Sequence, residues 1–183
     1  MARKIIIFVN GYPLAGKDTF VAICRTLFAR KGWNSSAASM VDVPLEMLQV
    51  ADIDVSNKTP YDRALMADII AALERNERRL SHRLVSDAHL SAMMHAGDFV
   101  AFIHAREPAA INLMVALAQG VGFETITAFV DRPNENREWS NAADANVENF
   151  TYNMVVKNFG TLEDLQASTS GFVKVITEGM SNA

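Results

Sequence analysis

The run Gly11-Tyr12-Pro13-Leu14-Ala15-Gly16-Lys17-Asp18-Thr19, set directly behind Ile5-Ile6-Ile7-Phe8-Val9, constrains this chain more than any other feature. A short apolar run ending at glycine reads as a buried strand, and Phe20 to Arg30 space their apolar side chains at helical intervals. Strand, glycine-bounded turn and helix, in that order, form the context in which a phosphate-binding loop is read. Gly11 and Gly16 permit close approach and backbone angles that a side chain forbids, so the N–H groups around Leu14 and Ala15 can turn inward on phosphate oxygens. A helix beginning near Lys17 adds its positive end, and the lysine can neutralise terminal phosphates. Asp18 stands where a serine or threonine hydroxyl usually meets Mg²⁺. A carboxylate can hold that metal directly or through water, which leaves Thr19 for a phosphate oxygen. The plain alternative, a tight strand-to-helix turn with no ligand, finds no use for Lys17.

At 183 residues the chain suffices for one domain, expected to bury about 70% of its unfolded surface. Half the residues are hydrophobic and 21% are charged, an ordinary balance for a globular protein. The formal net charge of −4 supplies no basic footprint for extended duplex binding. Cys24, the single cysteine, falls on the apolar face of the first helix and has no intrachain partner, so core packing in a reducing cytoplasm is expected. The N-terminal apolar run is too short for a signal peptide, and no stretch reaches membrane-spanning length. The sequence leaves open a monomer or a homodimer.

Strands and helices alternate along the chain. A weak second strand is expected over 36–43, ending at Asp42, followed by a helix over 45–50. Pro60 starts a helix running to Arg78, with Leu65, Met66, Ile69, Ile70 and Leu73 at helical spacing, and another covers about 86–95. Phe99-Val100-Ala101-Phe102-Ile103 reads as a strand covered on both faces. A helix over 107–118, a strand over 123–130, a short strand over 152–156 and a last helix capped by Thr161 with Asp164 complete the pattern. The expected fold is α/β: three layers around a five-stranded parallel sheet. An asparagine-rich polar insertion at about 131–150 reads as a lid, or else as a solvated surface loop, and the helical region at about 44–97 as the acceptor-binding part.

Ligands of an open parallel sheet sit beyond the carboxyl ends of its strands, and that rule sorts the candidates. Arg106 offers a guanidinium fork for a phosphate or a base edge, or else pairs with Glu107 at the helix start. Asp42 can accept a hydrogen bond from a substrate hydroxyl, orient hydrated Mg²⁺, or cap the following helix. Arg63 can clamp an acceptor phosphate or stand on the surface. His104 occupies a place where many phosphate-loop proteins put an acid, and reads as a packed histidine. His82, His89 and His95 show no metal-ligand spacing. The cluster Arg75, Arg78, Arg79 and Arg83 reads as a solvated helix face, and as the landing site of a polyanion if one binds.

Gly-Lys-Asp-Thr at 16–19, Arg-Glu-Pro at 106–108, Ser140-Asn141 leading into 144–149, Asn158, and Gly160-Thr161-Leu162-Glu163-Asp164-Leu165 together resemble phage-type deoxynucleoside monophosphate kinases. The resemblance covers most of the chain and is vague between Leu45 and Asp98. It implies a nucleoside-monophosphate-kinase fold with ATP and Mg²⁺. It also implies Arg132 and Arg137 in a lid over the phosphates, Asn158 and Gly160 near the donor's adenine, and Arg63 and Arg106 facing the acceptor. On this reading Lys17, Asp42, Arg106 and Arg132 carry the transfer and Asp18 meets the metal. A free (deoxy)nucleoside monophosphate is the leading acceptor. A hydroxymethylated pyrimidine in DNA, and a nucleotide-binding switch without catalysis, are the competing readings.

Overall fold

A computed structural model describes residues 2–57, 59–133, 147 and 149–179. Its centre is a parallel sheet of β1 (Lys4–Asn10), β2 (Asn34–Ser39), β3 (Phe99–His104), β4 (Glu124–Asp131) and β5 (Met154–Lys157), in the order β2-β3-β1-β4-β5. β1 and β3 are the apolar runs, and burial on both faces is what such runs require. Side chains alternate across β1. Ile5, Ile7 and Val9 face α1 (Lys17–Arg30) and α6 (Leu162–Glu178), whereas Ile6 and Phe8 face α4 (Arg79–Met93) and α5 (Pro108–Gly120). The two helical layers thereby enclose the sheet, giving the three-layer α/β architecture.

Aromatic packing fills the first face. Phe20 of α1 meets Phe172 of α6 edge-on at 5.1 Å, and Phe28 packs on Trp33 at 5.2 Å. Burying a side chain of this size stabilises the fold by roughly 1.5–3 kcal/mol. Cys24 is wholly buried in the same layer, and burial pushes its thiol up, leaving it an inert core group. Helix α6 starts as the sequence implies: Thr161 and Asp164 close a reciprocal capping box.

Three expectations about the middle of the chain need correction. β2 spans Asn34–Ser39 and does not reach Asp42, which lies in the first turn of α2 (Asp42–Val50). The Asp42 carboxylate accepts the Ser39 N–H at 2.7 Å, and a carboxylate with Pro44 behind it favours a helix start over a continuing strand. Helix α3 (Pro60–Arg75) stops before Arg78 because Glu77 and Arg78 both adopt left-handed backbone. The buried Glu74 carboxylate then takes both the N–H and the hydroxyl of Ser81, at 2.9 Å each, and so fastens the bend into α4. α4 begins at Arg79, seven residues before the expected start, and buries Leu80, Leu84, Val85, Ala88 and Ala92 against the sheet. That helix lays one face on the sheet as a core layer and leaves Arg79, His82, Arg83 and Asp87 exposed on the other.

The expected lid lies almost entirely outside the described residues. At its end, Val147 is fully buried in the first face's core. No described helix is long and apolar enough to cross a membrane.

Candidate functional site: the crevice between β1 and β3

β1 sends its chain to α1 on one face of the sheet, while β3, its neighbour, sends its chain to α5 on the other. A crevice opens between two such strand ends, and this is where open α/β sheets bind ligands. The loop after Asn10 and the segment His104-Ala105-Arg106-Glu107 form its two walls.

The loop has the conformation that its glycines dictate. Gly11 has φ 151° and a Cβ there would sit 2.6 Å from the Val130 carbonyl oxygen; Gly16 has φ 89° and its Cβ would sit 2.6 Å from Asn158 Nδ2. Between them Ala15 N–H donates to the Tyr12 carbonyl at 3.1 Å, closing a turn with Pro13 and then left-handed Leu14 (φ 60°) at its centre. Leu14 projects into solvent while Tyr12 and Ala15 are buried. The first helical bond of α1 runs from Phe20 N–H to the Gly16 carbonyl at 2.9 Å. The N–H groups of Lys17, Asp18 and Thr19 therefore precede the helical ladder and lie at its positive end. Lys17 Nζ reaches back to the carbonyls of Gly11 and Tyr12, at 2.7 and 2.8 Å, so its ammonium is held over the loop.

Facing the loop is His104. Its Nδ1 stands 3.9 Å from Asp18 Oδ1, and its ring is largely buried while the Asp18 side chain is fully exposed. Burial pushes the imidazole below its usual range; Asp18 pulls it up, Lys17 pushes it down, and Asp42 and Arg106 act in the same opposed senses. Asp18 is the one of these four with a measured approach to the ring, and Lys17, Asp42 and Arg106 act on it as charges within electrostatic reach. Arg106 is half-buried at the crevice wall, and Arg132 is exposed just past β4. Arg63 is exposed on the first turn of α3, outside the group acting on His104. Thr19 and Gly160 are exposed, whereas the Asn158 side chain is buried and donates to the Ala15 carbonyl at 2.9 Å, bracing the loop from behind. Arg137 lies outside the described residues.

Sequence reasoning missed Asn10 and Tyr152. Asn10 is fully buried and links the loop, the Arg106 carbonyl and the Tyr152 hydroxyl. Its signal was a polar residue closing an otherwise apolar strand just before Gly11. Tyr152 stacks on Phe129 at 5.1 Å, and burial pushes its hydroxyl up to about 12 against the opposing bond from Asn10.

Among the described residues no cluster of three or more histidine, cysteine or acidic side chains could hold a metal alone. Mg²⁺ keeps its waters and binds through one or two carboxylates together with phosphates. The exposed Asp18 carboxylate beside the glycine-shaped loop fits such a role.

Strand order, loop and crevice define a P-loop NTPase fold of the three-layer α/β/α kind. No family model and no curated protein matches the chain. Solved structures do. The Mycobacterium tuberculosis APS kinase CysC, in complex with AMPPNP and APS, matches with a TM-score of 0.55 at 13% identity, over 96% of this chain and 99% of its own. APE1195 matches with a TM-score of 0.55 at 11% identity, covering 99% of both chains. The hexameric APS kinase from Thiobacillus denitrificans gives 0.51 at 14% identity, over 97% of this chain and 30% of that one. At these identities the likeness establishes the fold, which this chain shares with P-loop kinases.

Proposed function

We propose that the protein is a kinase that transfers the γ-phosphoryl group of ATP to a (deoxy)nucleoside monophosphate. The observation carrying this reading is the gathering of Lys17, Asp18, Asp42 and Arg106 around His104 at the mouth of a glycine-bounded loop. Phosphoryl transfer asks little covalent work of a protein and much positioning and charge stabilisation, and this set supplies both signs of charge. The APS kinase that shares the fold was solved with AMPPNP and APS, and a crevice holding two nucleotides is what the reading requires.

In this mechanism the amides of Lys17, Asp18 and Thr19, which precede the helical ladder, bind the donor's phosphates and the Lys17 ammonium leaves the Gly11 and Tyr12 carbonyls to meet them. Asp18 would hold Mg²⁺, which would supply charge neutralisation for the transfer, and Thr19 would take a phosphate oxygen. Arg106 takes the acceptor phosphate through its fork, with Arg63 reaching it from α3. Asp42 orients the acceptor, and Arg132 and Arg137 cover the transferred group. Asn158 and Gly160 lie on the donor's side, Asn158 acting through the loop it braces.

The net charge of −4 favours a small mobile acceptor over a long polyanion. The test is a coupled ADP-release assay over all common ribo- and deoxynucleoside monophosphates. Turnover with at least one is expected, and turnover with none overturns the reading. Label appearing only in DNA that carries hydroxymethylated pyrimidines would move the acceptor into the polymer.

A further inference from the structure

The two walls of the crevice part company at a definite point. β1 and β3 stay in register as far as Val9 and His104, and Ala105 N–H still donates to the Val9 carbonyl at 3.2 Å. Beyond that the chain turns into the loop on one side and toward α5 on the other. The side chain of Asn10 bridges this divergence. Its Oδ1 accepts the Gly11 N–H at 2.8 Å, and its Nδ2 donates to the Arg106 carbonyl at 3.0 Å and to Tyr152 Oη at 2.7 Å. Both amide hydrogens and the amide oxygen are thereby used, and this pattern leaves one orientation for the group.

Tyr152 fixes the third point. Its hydroxyl accepts from Asn10 and donates to the Val147 carbonyl at 2.8 Å, so the chain of bonds has one direction throughout. Phe129 and Phe150, with ring centroids at 5.1 and 4.9 Å, hold the ring in place. Burial pushes the hydroxyl up to about 12, so it carries a proton to donate through the neutral range.

We infer that Asn10 is a positioning residue: it sets the distance between the loop that takes the donor's phosphates and the Arg106 segment that takes the acceptor, with Tyr152 as its brace. The inference rests on the kinase reading and adds to it which buried group aligns the two substrates. Asn158 Nδ2 donates to the Ala15 carbonyl and Lys17 Nζ to the carbonyls of Gly11 and Tyr12, and these three bonds end on the loop, whereas those of Asn10 reach both walls. Losing Asn10 costs the loop its bond to the Gly11 N–H, but Lys17 and Asn158 still hold the loop, whereas the bond to the Arg106 carbonyl is lost, so the separation of the walls drifts more than the loop does. Because in-line transfer is sensitive to displacements of about 1 Å, the loss falls on simultaneous occupancy and transfer rather than on donor binding.

The experiment titrates wild type, Asn10→Ala and Tyr152→Phe by calorimetry with two probes. One is a non-hydrolysable ATP analogue. The other is a set of bisubstrates, each joining adenosine to one of the common nucleosides through five phosphates. Tyr152→Phe keeps the ring packing and removes only the hydroxyl, so it reports even if Asn10→Ala folds poorly. Expected is an ATP-analogue Kd within about threefold of wild type in both variants, with bisubstrate affinity lost by about tenfold or more in Asn10→Ala and by less in Tyr152→Phe. In turnover, kcat falls while KM for ATP holds. Equal weakening of both probes makes Asn10 a loop-stability residue and overturns the inference, as does weakening of neither. Should wild type bind no bisubstrate more tightly than the ATP analogue, the kinase reading itself fails, an outcome visible before any variant is made.

Discussion

Asn158 holds the loop through Ala15: Nδ2 donates to the Ala15 carbonyl oxygen at 2.9 Å from a side chain only 4% exposed. The bond joins the segment after β5 to a loop that follows β1, two elements far apart in sequence. Removing the amide leaves a buried carbonyl without that partner, which costs about 1–3 kcal/mol. Asn158→Ala is therefore expected to lower stability by about 1–2 kcal/mol in urea titration. It should also weaken binding of a non-hydrolysable ATP analogue by about tenfold, because the loop no longer starts pre-organised.

Gly16 and Asn158 are coupled through the same contact. A Cβ on Gly16 would meet Asn158 Nδ2 at 2.6 Å, and φ 89° strains any side chain there. Gly16→Ala should cost about 1–3 kcal/mol. The clash is with the tip of one side chain, so it disappears when that tip is removed, while the backbone strain remains. In a double-mutant cycle, Gly16→Ala with Asn158→Ala is expected to cost less than the sum of the two by about 0.5–1.5 kcal/mol. Strict additivity in the denaturation midpoints would place the contact elsewhere.

Lys17 separates function from stability. Its ammonium bonds two carbonyls of its own loop, at 2.7 and 2.8 Å, in a part-buried position open to solvent. Lys17→Met removes bonds that water can replace, so thermal unfolding should shift by no more than about 1 kcal/mol equivalent. Transfer, measured by ADP release, should fall on the order of 10³-fold, since a charge aimed at the phosphates is lost in a preorganised site.

His104 makes stability depend on pH. Burial is the largest influence and lowers its proton affinity; Asp18 and Asp42 oppose this, while Lys17 and Arg106 reinforce it. The folded protein thus binds this proton less readily than the unfolded chain does. Its contribution to stability is full above the unfolded histidine value of about 6.5 and is lost as pH falls from there through the lower folded value. Urea midpoints measured from pH 8 to pH 5 should decline on acidification, and His104→Asn should flatten that decline. An unchanged slope in the variant would assign the acid sensitivity to other groups.

Much of this was legible from the chain because short-range chemistry decides it. Glycines 11 and 16 are demanded by close approach, Thr161 and Asp164 form a local capping box, and the apolar runs of β1 and β3 announce burial on both faces. What escaped notice depends on partners distant in sequence or on missing start signals. Asp42 looks like a strand end until Ser39 is seen to donate back to it. α4 has no capping side chain at its start, since Arg78 is left-handed there, and its early turns carry arginines that resemble a solvated face. The role of Asn10 emerges only when Arg106 and Tyr152 are brought beside it across 96 and 142 residues of sequence.

Arg3 tests whether the opposite end of the sheet is independent of the crevice. Its guanidinium forks onto Glu124, with Nε to Oε1 at 2.9 Å and Nη2 to Oε2 at 2.7 Å, and Nη1 donates to the Ile176 carbonyl near the end of α6 at 2.6 Å. The same group lies 5.7 Å from the Trp33 ring centroid. Both charged side chains are more than a third exposed, so solvent screens the pair and it contributes less than about 1 kcal/mol. The helix-end carbonyl and the ring each add about 0.5–1 kcal/mol. Arg3→Ala should therefore destabilise by about 1–2 kcal/mol in urea. Glu124→Gln should cost less, and its effect should vanish as pH falls, because Arg3 holds the Glu124 carboxyl below its usual range and that stabilisation is lost on protonation. These bonds lie at the amino ends of the strands, whereas the loop lies at the carboxyl ends. ATP-analogue affinity and kcat should accordingly stay within about twofold of wild type, as expected for independent sites. A larger loss in either would mean that strain at Arg3 reaches the crevice through β1.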